Sequence, residues 1–226
     1  MKPTILLAGA TGLIGSTVLN LLKNDDSFEI VALTRREFPP PKGLPQIKQE
    51  IVDFNNLEKY KQVISAQTVV CTLGTTIKKA GSQENFRHVD YQLPLEIAKY
   101  ALENGCENFI LISAIGADPN SKIFYNKVKG ELERDIRKLS FKSIHIIRPS
   151  LLVGNRQEFR LGEEIGKIFL TPFRFLIPPK YRPIHATIIA RKIYSLLKNP
   201  AQGIHIYEGS RIYEMDENVN LIKPKK

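Results

Sequence analysis

The chain has 226 residues, 42% of them hydrophobic, enough for one substantial core, and it reads as a single domain over residues 1–226. Its two cysteines, Cys71 and Cys106, exclude a disulfide framework and a cysteine-built metal centre, and no apolar run is long enough to cross a bilayer. The formal net charge of +10 suits an anionic partner without choosing one, and scattered cations such as Arg35-Arg36, Lys78-Lys79 and the final KPKK favour a solvated surface.

In chain order, Thr4 to Ala8 is a short apolar, β-branched run that reads as a buried strand. Its apolar stretch is too short and too broken by glycine for a secretory signal, so the expected location is the cytoplasm. The segment GATGLIG then sets Gly9, Gly12 and Gly15 between that strand and a helix over Ser16 to Lys23. In such a strand-to-helix turn the first glycine permits the tight bend, the second admits a pyrophosphate, and the third lets helix pack on strand. Thr11, Leu13 and Ile14 complete the loop, and the helix N-terminus turns free amides and a positive dipole end toward the phosphates.

A second strand, Glu29 to Thr34, ends in TRRE. An acidic residue here would bind a ribose 2′-hydroxyl; Arg35 and Arg36 stand in its place, and a guanidinium grips a 2′-phosphate, so NADP(H) is expected over NAD(H). The proline-rich REFPPPKGLPQ reads as a loop on the rim. A third strand, Ile47 to Val52, delivers Asp53 and Phe54; Asp53 reads equally as an acceptor for the adenine amino group and as a cap of its own loop. A helix over Leu57 to Ile64 and a strand over Thr68 to Leu73 follow, and TLGTT should pass beneath the cofactor at Leu73, Gly74 and Thr75, with Gly74 giving close backbone approach.

After a helix over Leu93 to Asn104, the strand Asn108 to Ile112 places Ser113 at the carboxyl edge, where ligands bind in open α/β sheets. The helix Phe124 to Lys138 carries Tyr125 and Lys129 at i and i+4, on one face, where an ammonium favours the phenolate and so readies a tyrosine for proton transfer. The strand Ser143 to Arg148 ends at an arginine that reads equally as structural anchor and substrate clamp. Gly154 to Arg182 breaks the rhythm with aromatics, prolines and cations and reads as a lid, on which Asn155, Arg156, Gln157 and Arg160 either meet an anionic substrate or tie the loop. A helix over Ala186 to Lys198, opened by a capping or packing His185, and a strand over Ile204 to Tyr207 close the chain. His88, His145 and His205 show no metal-ligand spacing. The alternation of strand and helix gives the fold class: α/β, a Rossmann-like doubly wound parallel sheet with a small C-terminal lid region.

The stretches LGTTIKKAGSQENFRHVDY, SAIGADPNSKIFYNKVKGELE and RPSLLVGNRQEFRLGE resemble the short-chain dehydrogenase/reductases of extended or atypical kind, and more closely their Tat-interacting-protein, oxidoreductase-type subfamily. The similarity runs from Thr4 to about Lys198. It implies NADPH on a Rossmann-like fold, with Ser113, Tyr125 and Lys129 as the serine-tyrosine-lysine set and Pro149, Leu151 and Leu152 beside the nicotinamide. Hydride transfer to a carbonyl carbon would then be completed by a proton from Tyr125, while Lys129 binds the nicotinamide ribose and Ser113 orients the carbonyl. One departure stands out: the subfamily commonly has two adjacent serines, whereas Ala114 follows Ser113 here. The expected partner is a small carbonyl compound. The alternative is an NADPH-binding regulatory or scaffold protein with a protein partner and little turnover. A sugar-nucleotide epimerase fits less well because the part after Gly154 is short, and nucleic acid or membrane contact ranks lower still; the oligomeric state is left open.

Overall fold

The computed structural model describes residues 2–23, 25–44, 47–153 and 181–214. The apolar runs become strands β1 (Thr4–Ala8), β2 (Glu29–Thr34), β3 (Ile47–Ile51), β4 (Thr68–Cys71), β5 (Asn108–Ile112), β6 (Ser143–Arg148), β7 (Leu152–Val153), β8 (Ile184–His185) and β9 (Gly203–Glu208). Seven of them form one sheet in the order β3-β2-β1-β4-β5-β6-β9, and every neighbouring pair is parallel. A parallel sheet must be covered on both faces, which is why β1, β4 and β5 are apolar almost throughout.

The covering helices are α1 (Leu13–Leu22), the short α2 (Ile77–Ala80) and α3 (Gln83–Arg87), then α4 (Leu93–Glu103), α5 (Phe124–Ile136) and α6 (Ala186–Lys198). On one face α1 and α6 bury Val18, Leu19, Ile189 and Ile193 against Ile5, Leu7 and Ile110. On the other, α4 and α5 bury Ile97, Ala101, Leu132 and Ile136 against Leu6, Val69, Phe109 and Leu111. The expected doubly wound α/β architecture is therefore the observed one. Ala8 pairs with Leu33 on one side and Cys71 on the other, so strand order reverses at β1, and the crevice beyond the carboxyl ends of β1 and β4 is the ligand position of such sheets.

Several elements differ from expectation. Leu57–Val63 is a 3-10 helix rather than an α-helix, consistent with Leu57, Tyr60 and Val63, whose spacing of three eclipses them in that geometry. Strand β4 ends at Cys71; the Thr72 N–H still donates to the Ala8 carbonyl at 2.9 Å, and its hydroxyl donates to the carbonyls of Ala8 (2.9 Å) and Gly9 (3.1 Å). Two short helices, α2 and α3, precede α4, and the turn joining α3 to α4, His88–Gln92, is π-helical. The proline-rich connection from β2 to β3 is a loop, as read, pinned by Gln49, whose side-chain amide both accepts from the Phe38 N–H and donates to its carbonyl. Most of the expected lid, residues 154–180, including Asn155, Arg156, Gln157 and Arg160, lies outside the described residues.

Candidate functional site

The glycine turn at the end of β1 is built from three different necessities. Gly9 has a φ of +89°, and a Cβ there would meet the Thr72 hydroxyl at 2.6 Å. A Cβ on Gly15 would lie 2.2 Å from the Gly9 carbonyl oxygen, so this glycine sets how closely α1 approaches β1. Gly12 is the N-cap of α1, leaves the helix end without a side-chain cap, and no acidic residue stands in the first turn. The amides of Leu13 and Ile14 are therefore presented outward with the positive end of the dipole, an arrangement that receives an anion. Thr11 lies on the same turn.

Arg35 and Arg36 follow β2 on the exposed rim, and neither guanidinium is committed to a carboxylate among the described residues. The Thr34 hydroxyl donates to the Arg36 carbonyl at 2.9 Å and shapes that corner. Asp53 follows β3; one carboxylate oxygen accepts from the Asn55 N–H at 2.9 Å, and its carbonyl accepts from the Asn56 N–H, the loop-capping arrangement. Phe54 and Leu73 are half-buried against the α4 side of the core.

Tyr125 and Lys129 share one face of α5. The Tyr125 ring is half-buried and tilted against Phe86, 5.4 Å between centroids, and its phenol makes no hydrogen bond among the described residues. Lys129 is buried and its ammonium lies 2.7 Å from Oδ1 of Asp90, itself 0% exposed on the π turn. The other Asp90 oxygen accepts from the Thr75 N–H at 2.8 Å. Gly74 passes over this pair: a Cβ there would stand 3.3 Å from Asp90 Oδ1 and 3.7 Å from the ammonium. Burial is the largest influence on Lys129 and pushes its proton affinity down, yet the charge of Asp90 and its hydrogen bond, with a smaller contribution from the Tyr125 phenol, outweigh it and the net movement is upward. Sequence reasoning missed Asp90. Its signal was spacing: Phe86, Asp90, Leu93 and Ile97 fall on one helical stripe, and an acid on an apolar stripe needs a buried partner.

Ser113 is not brought into that group. It is 5% exposed and its hydroxyl donates to Glu133 Oε1 at 2.5 Å, one helical turn deeper along α5 than Lys129. Glu133 is gripped through both oxygens by Arg148, at 2.9 and 2.6 Å, and Arg148 reaches Glu208 at 3.2 Å. A carboxylate held in this way only accepts, so the serine proton belongs to Glu133 and is not presented to a ligand. The geometry thus gives no support to the carbonyl-orienting role expected of Ser113, and Ala114 has no hydroxyl to replace it. Of the two roles open for Arg148, the anchor is the one the structure displays. Beyond β6, the Pro149 carbonyl accepts from the Ile115 N–H and the Leu151 carbonyl from the Ile184 N–H, while Leu152 pairs with Ile184, so this strip borders the crevice beside β5. His185 is exposed at the start of α6 and its side chain caps nothing.

Residues 24–172 match the family described as HIM1. Among curated proteins, the chain is 38% identical over 168 residues to "Protein FMP52, mitochondrial" of Candida albicans, covering 71% of this chain and 72% of that one. It is 32% identical over 199 residues to "Protein HTATIP2" of Rattus norvegicus, covering 87% and 80%. The resemblance to the Tat-interacting-protein subfamily is thereby borne out. Among solved structures, MoeE5 in complex with UDP-glucuronic acid and NAD superposes with a TM-score of 0.71 at 16% identity, over 90% of this chain and 75% of that one, a likeness of fold. The cytoplasmic expectation is corrected: other fungal relatives carry the same mitochondrial name as the Candida protein, and that naming points to mitochondria.

Proposed function

The chain belongs to the HIM1 family, and on that premise we propose that it is an NADPH-dependent oxidoreductase that reduces a carbonyl compound. The observation that carries the reading is the uncommitted phenol of Tyr125 beside the buried ammonium of Lys129, in the half of the sheet that adjoins the glycine turn. NADPH fits the residues present: Gly9, Gly12 and Gly15 stand where a Cβ would collide with Thr72 or with the Gly9 carbonyl, so the turn keeps its tight course, and α1 opens with no side-chain cap over its amides. In this reading Thr11, Leu13 and Ile14 line the pyrophosphate seat, and Arg35 and Arg36 grip the 2′-phosphate. The second oxygen of Asp53 meets the adenine amino group beside Phe54. Leu73, Gly74, Thr75, Pro149, Leu151 and Leu152 border the nicotinamide half.

When bound, NADPH supplies a hydride to the carbonyl carbon. Tyr125 gives its phenolic proton to the carbonyl oxygen as negative charge builds there, and the Lys129 ammonium favours the tyrosinate that is left. Lys129 also keeps donors for the nicotinamide ribose. Ser113 takes no part beyond holding Glu133, so orientation of the carbonyl falls to Tyr125 alone. The names of the fungal relatives suggest that this activity is exercised in mitochondria.

Calorimetric titration with NADPH and then NADH, repeated on Arg35→Ala/Arg36→Ala, tests the cofactor. The expected result is preference for NADPH, with affinity falling about 10- to 100-fold in the double variant, the worth of one or two exposed charge-assisted hydrogen bonds. A folded sample that binds neither nucleotide overturns the proposal. A second reading, binding of NADPH without turnover, is favoured by the commitment of Ser113 to Glu133 and the missing hydroxyl at Ala114. Tyr125→Phe separates the two: it abolishes NADPH oxidation in a reductase and changes nothing in a binding protein.

A further inference from the structure

The π turn His88–Gln92 interrupts what would otherwise be continuous α-helix from Gln83 to Glu103, and such insertions recur where the aim of one side chain matters. Here the side chain is Asp90. It is fully buried; one oxygen is ion-paired with the Lys129 ammonium at 2.7 Å, and the other accepts from the Thr75 N–H at 2.8 Å. A single carboxylate therefore joins the π turn, the loop after β4 and the middle of α5. Gly74 completes the join, since a Cβ there would press on Asp90 Oδ1 at 3.3 Å.

We propose that Asp90 is a positioning residue for the Tyr125–Lys129 pair: it ties the Lys129 ammonium to the Gly74–Thr75 backbone and keeps it charged before any ligand arrives. The inference rests on the reading of Tyr125 and Lys129 given above. An ammonium has three donors; one is taken by Asp90, and two are left for a ribose hydroxyl and the tyrosine side. The groups that face Lys129 are Asp90 from the π turn, Tyr125 from its own helix and Cys71 from β4. The Cys71 thiol is pushed up to about 11 by burial and contributes no charge at neutral pH. Asp90 is thus the only full negative charge among these groups, and without it burial would drive the lysine toward its neutral form. A buried ion pair adds little to stability against an apolar replacement, so fold stability alone gives no reason to place one here.

The test uses the full chain, selectively labelled at lysine with carbon-13 and nitrogen-15, with the Lys129 resonance assigned by its loss in Lys129→Arg. Asp90→Asn keeps the shape and an acceptor for the Thr75 N–H but removes the charge. In the parent, Lys129 stays charged through the alkaline range and NADPH affinity is flat with pH. In Asp90→Asn, the titration midpoint of Lys129 falls by at least about two pH units, and NADPH affinity falls at least tenfold across the same midpoint. An unshifted Lys129 midpoint, or NADPH binding without a new pH dependence, overturns the inference. A parent that binds no NADPH instead overturns the cofactor reading, and the positioning role with it, whatever Lys129 does. Should Asp90→Asn not fold, Asp90→Glu serves: it keeps the charge one methylene out of place, and NADPH binding equal to the parent's refutes the claim of position.

Discussion

Ser113→Ala separates a structural serine from a catalytic one. The substitution removes one hydrogen bond to a buried carboxylate, Glu133, which is 1% exposed and retains both bonds to Arg148. Hydrogen bonds to charged groups contribute about 1.5–3 kcal/mol, and because Arg148 still satisfies the carboxylate the low end applies, about 1.5 kcal/mol. For a domain of this size that lowers Tm by about 3–6 °C. Turnover moves little, by less than about threefold, since the serine proton was never available to substrate; a donor aimed at a developing oxyanion would cost on the order of 100- to 1,000-fold. The assay pairs thermal denaturation with NADPH oxidation against aldehydes, ketones and quinones. A variant as stable as the parent but a hundredfold slower would refute the assignment of the serine proton to Glu133.

The acid side of stability should be set by His145, which is buried between Ser143 (2.7 Å) and Tyr207 (3.0 Å), stacked on His205, and pushed down to about 4 by burial and then by the charges of His205 and Lys192. The unfolded chain takes up that proton near pH ~6.5 and the folded chain does not, so stability present above this value is lost as pH falls toward 4, by about 3 kcal/mol in all. Denaturation midpoints measured at about pH 7 and about pH 5 should diverge in the parent and much less in His145→Gln; equal slopes would contradict the account. Gly15→Ala places a Cβ 2.2 Å from the Gly9 carbonyl and must push α1 off β1, costing about 1–3 kcal/mol and most of the NADPH affinity, and unchanged titration calorimetry would refute it. Gly130→Ala meets the backbone of Asp118 and Pro119 at 2.2 Å, so it should unfold the β5–α5 loop and leave less soluble, less cooperative protein, which a circular-dichroism melt reads directly.

What the sequence disclosed depended on how local the physics was. β1, β2, β5 and β6 were legible to the residue because strands buried in a parallel sheet read as short runs rich in apolar, β-branched residues. The glycine turn was legible because the constraints on Gly12 and Gly15 act within the turn and on the adjoining helix, although the one on Gly9 also comes from Thr72 beyond β4. The Lys129–Asp90 and Glu133–Arg148 pairs were not, since each joins residues far apart in sequence through tertiary packing. Gly130 was silent for the same reason: its lack of a side chain answers to the loop at Asp118 and Pro119, not to α5. The π turn gave no compositional sign, because a single inserted residue leaves hydrophobic spacing almost unchanged. Even so, a charge on an apolar stripe was visible three times, at Asp90, Lys129 and Glu133, and read only once.

Those charges also indicate where chemistry can reside. Tyr125, Lys129 and Glu133 follow one another at four-residue steps down a single face of α5, from the carboxyl edge of the sheet into the core. Each deeper member is answered from a different element: Lys129 by the π turn, Glu133 by Arg148 at the end of β6 and by Ser113 just past β5. Buried polar groups that are fully paired specify the docking of the helix, since a slip of α5 by one turn would set Lys129 against Arg148 and leave Asp90 without a cation. Glu133 is left with nothing over for a ligand, whereas Lys129 keeps two donors beyond its pair with Asp90. Tyr125, at the outer end of the row, is the member whose polar atom has no hydrogen-bond partner among the described residues, and it is half-exposed rather than buried. In the proposed reading the proton to give therefore stands at that one position of the stripe, and the pairs beneath it fix the helix that carries it.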